Sequence, residues 1–95
     1  MVSVDNIEYA QSITVANVYG LHARPAAEFV KLASTFESKI LVNKDGLEVN
    51  GKSIMGVMML AAERGSTIEI KARGSDAVEA VNALVNLVAN GFGEG

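Results

Sequence analysis

Polar and apolar residues alternate through Ser12-Ile13-Thr14-Val15, which predicts a half-buried strand. Beyond Gly20 the period changes. Ala26, Phe29, Val30 and Ala33 fall at i, i+3, i+4 and i+7, the spacing of one buried stripe on a helix from Ala23 to about Phe36. Pro25 fits its first turn, where a missing N–H loses no partner. Period two returns at Ile40 and Val42 and again at Leu47 and Val49, on either side of the hairpin signal Asn43-Lys44-Asp45-Gly46. Ser53 is placed to cap a short apolar helix that begins at Ile54 and closes near Arg64-Gly65. Ile68, Ile70 and Ala72 alternate with Thr67, Glu69 and Lys71 as a fourth strand. Asp76 then opens a last helix with Ala77, Val81, Leu84 and Val88 inward, ending at Asn90-Gly91 with Phe92 as a C-cap contact.

The predicted order is βαββαβα, and each strand has a single apolar face. Such strands suit a sheet covered by helices on one side and wetted on the other, an α+β open-faced sandwich. A chain of 95 residues with 49% hydrophobic content is expected to fold as one domain with a modest core. Without cysteine there is no disulfide framework, thiol catalysis or CxxC chemistry, and with a single histidine no metal site is expected. No basic stretch leads into an apolar run at the N-terminus and no segment is long enough to span a bilayer, so a soluble cytoplasmic location is the expectation. A net charge of −3, with 8 Lys and Arg and few aromatics, argues against nucleic acid as a partner.

The placement of charge says more than its sum. No Asp or Glu occurs from Tyr9 to Ala27 or from Val49 to Ala62, while Arg24 and Lys52 lie inside those stretches. If the two segments adjoin, they form a neutral-to-positive patch on an acidic protein, suited to an acidic partner or a phosphate donor. The one histidine, His22, lies in the first of them, directly ahead of the first predicted helix. A helix start gathers unpaired N–H groups and the positive end of the helix dipole, and can hold an anion beside the imidazole. Neutral imidazole is itself a nucleophile near pH 7. Met55, Met58 and Met59 cannot all face one core from so short a helix, so some of Ile54, Met55 and Met58 are expected at the surface, where adaptable methionines suit docking to several partners.

Gly20-Leu21-His22-Ala23-Arg24-Pro25-Ala26, followed by Gly51-Lys52-Ser53-Ile54-Met55-Gly56-Val57-Met58, resembles the histidine-containing phosphocarrier family, HPr, and its nitrogen-branch paralogues. The resemblance covers the chain apart from an N-terminal extension over residues 1–7. It implies four antiparallel strands with three helices on one face. His22 would be phosphorylated through Nδ1 by phosphorylated enzyme I and would pass the group to a IIA domain. Arg24 would be the neighbouring cation, the Ala23 and Arg24 N–H groups the phosphate contacts, Ile54, Met55 and Met58 the docking residues, and Ser53 the serine modified by an HPr kinase in some bacteria. No cofactor is implied, and a monomer is expected.

Other readings of the same residues stay open at the level of sequence. Ser53 is a good N-cap whatever else it does, and Arg24 taken alone reads as a solvated helix residue. A regulatory paralogue could have its phosphorylation state read by partners rather than passed on. A ligand-binding domain of the ferredoxin-like or ACT type shares the βαββαβ order, but it requires no histidine at a helix start and leaves the last helix as an addition.

Overall fold

The computed structural model describes residues 7–93. It contains β1 (Glu8–Thr14), α1 (Ala23–Ala33), β2 (Lys39–Lys44), β3 (Leu47–Asn50), α2 (Ile54–Met59), β4 (Thr67–Arg73) and α3 (Ala77–Ala89), then a 3-10 turn at Gly91–Gly93. The strands lie in the order β1-β4-β2-β3, and each neighbouring pair is antiparallel. Of the expected N-terminal extension only Ile7 falls within the described residues, where its carbonyl accepts from the Gly74 N–H at 2.8 Å.

The period-two pattern fixes which face is wet. On the central strands Ile40, Val42, Ile68, Ile70 and Ala72 are fully buried, while Lys39, Thr67, Glu69 and Arg73 face solvent. Phe29 of α1, Val57 of α2, and Ala80, Val81, Leu84 and Val88 of α3 close over the apolar face, so the predicted open-faced sandwich is the fold observed. Burying Phe29 alone stabilises by about 1.5–3 kcal/mol. Asp45 and Gly46 both take positive φ, 52° and 88°, which matches a two-residue hairpin turn to the twist of the strands it joins.

Several boundaries differ from the sequence reading. β1 begins four residues before Ser12, and its inward side chains Tyr9 and Ile13 are only half-buried because it is an edge strand. Val15, predicted inside the strand, lies just past it and is fully buried. α1 stops at Ala33, and Phe36 turns back into the core as the N–H groups of Thr35 and Phe36 take tight bonds to Leu32 and Ala33. α2 ends at Met59, well short of Arg64-Gly65: Ala61 adopts φ 48°, and a helix cannot continue through that conformation.

Asp76 also departs from its expected part. It occupies the N-cap position of α3, yet its side chain makes no capping bond. Its carboxylate reaches across to the turn after α1, accepting from the N–H groups of Glu37 at 2.9 Å and Ser38 at 3.0 Å and from the Ser38 hydroxyl. The Ser38 hydroxyl above all, and these backbone donors, hold the Asp76 carboxyl below the usual carboxylate range against an opposing push from desolvation.

Candidate functional site

His22 sits where α1 begins because the chain ahead of it is tied down at several points. Val15 is fully buried, donates to the Ser66 carbonyl at 2.8 Å and accepts from the Gly65 N–H at 2.8 Å. Leu21, also buried, donates to the Ala62 carbonyl at 2.9 Å. The His22 N–H donates to the Gly20 carbonyl at 3.0 Å, and its own carbonyl accepts the first helical bond, from Ala26, at 2.9 Å. At φ −77° and ψ −173° His22 is extended, which is N-cap geometry, but its half-buried imidazole does not cap the helix. The N–H groups of Ala23 and Arg24 therefore remain among the donors that a helix start cannot satisfy internally. The first turn of α1 holds no acidic residue.

The two carboxylate-free segments do adjoin. The bond from Leu21 to Ala62 joins them, and the buried sides of α1 and α2 meet in one core. Arg24 is exposed on the rim of a depression that it shares with Pro25, Glu28, Phe92 and Gly93. Lys52 is held in place by the fold while keeping its charge. Its ammonium donates to the Phe36 carbonyl at 2.7 Å, in the turn that follows α1.

Ser53 caps α2 as predicted: at φ −119° and ψ 119° its hydroxyl accepts from the Gly56 N–H at 3.0 Å. Gly56 has little room beside that cap, since a Cβ there would stand 3.2–3.3 Å from the Asn50 carbonyl oxygen and the Ser53 side chain. In α2 only Val57 is buried. Met55 is 76% exposed, and Ile54, Met58 and Met59 also reach solvent. Sequence reasoning missed Met59, and it missed Val18 and Tyr19, which are exposed on the turn leading to His22. The Tyr19 ring makes an edge-to-face contact with the His22 imidazole, with centroids 6.0 Å apart. Their signal in the sequence was two large apolar residues in a stretch with no strand or helix period, which marks a surface turn but says nothing of what it faces.

A half-buried imidazole at a helix start, with an exposed cation two residues on and an exposed apolar helix face in the same molecule, is the layout of a protein that meets partners face to face rather than one that encloses a substrate. The description "PTS HPr component phosphorylation site" belongs to the family model that matches residues 9–90. Phosphocarrier protein HPr of Neisseria meningitidis is 51% identical over 85 residues, which span 90% of this chain and 96% of that protein. A crystal structure of HPr from Thermoanaerobacter tengcongensis superposes with a TM-score of 0.88 at 48% identity, covering 92% of this chain and 98% of that one. The solution structure of Crh, described as the Bacillus subtilis catabolite repression HPr, matches at TM-score 0.65 and 44% identity, covering 84% of this chain and 95% of that one. The chain belongs to the HPr family and is a phosphocarrier of the phosphotransferase system. No helix among the described residues is long and apolar enough to cross a membrane.

Proposed function

We propose that His22 carries the phosphoryl group, taking it from phosphorylated enzyme I and handing it to a IIA domain. The observation that carries this reading is the position of its imidazole at the start of α1, beside helix donors and away from any carboxylate of the first turn. A lone pair of the neutral ring attacks phosphorus, the bond from phosphorus to the donor breaks, and the donor keeps that electron pair. By the family resemblance the attacking atom is Nδ1. The Ala23 and Arg24 N–H groups donate to the phosphoryl oxygens, and the Arg24 guanidinium adds a charge-assisted contact. No deep pocket is needed, because a carrier that held its cargo tightly could not pass it on.

Ile54, Met55 and Met58 form the apolar ground on which enzyme I and IIA dock in turn, and methionine suits a surface that serves more than one partner. Ser53, at the edge of that surface, is the point at which a kinase would switch docking off, a reading supported by the likeness to Crh. The chain acts as a single monomeric domain. Incubation with phosphoenolpyruvate and enzyme I, followed by intact-mass measurement, tests the central assignment. The parent protein is expected to gain one acid-labile phosphoryl group and His22→Ala none, with the circular dichroism of the two alike. Acid-labile phosphate on the variant would overturn the reading.

A further inference from the structure

Glu28 is the first carboxylate along the chain after His22, and it ends the acid-free stretch that begins at Tyr9. It stands on α1 one turn beyond Arg24, and both residues are exposed. Side chains four residues apart on a helix are neighbours on one face. The fold adds a second wall: Phe92 and Gly93, beyond the end of α3, line one depression together with Arg24, Pro25 and Glu28. The guanidinium that would steady a phosphoryl group on His22 therefore shares its ground with a carboxylate. Glu28 also borders a second depression with Lys31, three residues on, so its charge is set between two cations of α1.

We propose that Glu28 is a positioning residue for Arg24: in the unphosphorylated protein it draws the guanidinium along α1, and phosphorylation of His22 draws it back. This inference rests on His22 as the acceptor. The phosphoryl group gains Arg24 only as Arg24 leaves Glu28, so the phosphorylated form is held less firmly than an uncontested cation would hold it. An exposed ion pair at i, i+4 on a helix shifts such an equilibrium by about twofold. Arg ahead of Glu is the weaker order of the two charges, which keeps the guanidinium able to leave. Coupling of this kind is reciprocal, and what Glu28 takes from the phosphorylated form it adds to the drive for onward transfer.

Parent, Glu28→Gln, Arg24→Ala and the double variant, each mixed with an equal amount of phosphorylated enzyme I, provide the test. Intact mass reads the ratio of phosphorylated to unphosphorylated carrier at equilibrium. Glu28→Gln is expected to raise that ratio about twofold at low salt, to raise it less at about 1 M salt, and to leave it unchanged when Arg24 is already Ala. An equal rise with and without Arg24 overturns the proposal, because Glu28 then acts on the phosphoryl group directly. A changed KM with enzyme I at an unmoved ratio overturns it too and makes Glu28 a docking residue. With no phosphoryl donor present, the Nε–Hε NMR resonance of Arg24 should shift in Glu28→Gln, and an unmoved resonance overturns the contact whatever the transfer equilibrium. Phosphorylation of His22→Ala by enzyme I would refute the acceptor assignment alone, since the Arg24 resonance judges the contact independently of it.

Discussion

Asp76→Ala removes the carboxylate that ties the start of α3 to the turn between α1 and β2. Three donors lose their acceptor: the N–H groups of Glu37 and Ser38 and the hydroxyl of Ser38. Ser38 is 2% exposed, so water cannot readily replace the acceptor there, and each stranded donor costs about 1 kcal/mol, the low end of the range for a buried donor left unsatisfied. Glu37 is exposed and contributes less. The expected loss is about 2–3 kcal/mol at pH 7, or roughly 10–20 °C in Tm for a domain of this size. Its pH dependence follows from the direction of the carboxyl's shift. The folded pKa lies below the unfolded value, so the ionised latch contributes its full stability above the unfolded pKa of about 4 and loses it as pH falls through the lower, folded pKa. Urea denaturation of parent and variant at neutral pH and again near pH 2 reads both effects. The gap between the two curves should narrow in acid. A loss below about 0.5 kcal/mol at pH 7, or a gap that is the same at both pH values, would refute the latch.

Arg24→Ala should slow transfer from enzyme I and change the lifetime of the phosphohistidine while leaving Tm nearly unmoved, since Arg24 is exposed; Arg24→Lys should recover only part, because an ammonium lacks the planar fork. Ser53→Ala should cost about 1 kcal/mol in chemical denaturation through loss of the bond from the Gly56 N–H. Ser53→Asp should keep the cap and the fold yet accept phosphate much more slowly, with the gap narrowing in high salt if long-range repulsion of an acidic partner is the cause. Met55→Glu should weaken docking, read as a raised KM with enzyme I, and change stability by less than about 0.5 kcal/mol because Met55 is 76% exposed.

Local periodicity was enough to order the elements, because a strand with one buried face and a helix with one buried stripe must each write that face into the sequence, as Ile68-Glu69-Ile70 and Ala26-Phe29-Ala33 do. The places of His22, Arg24 and Ser53 in the fold were legible for a related reason. Each stands at a helix start, which capping residues and Pro25 announce locally.

What sequence could not supply was anything set by residues distant along the chain. Lys52 read only as a charge, and nothing in its neighbours along the chain announced the Phe36 carbonyl that the fold brings within 2.7 Å of it. Asp76 read as a helix cap, but it bonds across to Ser38 because α3 returns beside the turn after α1. α2 stopped early, at Met59, ahead of Ala61, whose φ of 48° no residue preference foretold. Tyr19 carried no pattern, and its place against His22 follows from Asn17 and Gly20 folding the turn onto the Ala62 carbonyl. Period and caps are properties of a segment, whereas a hydrogen bond or ring contact between segments exists only once packing has chosen which of them meet.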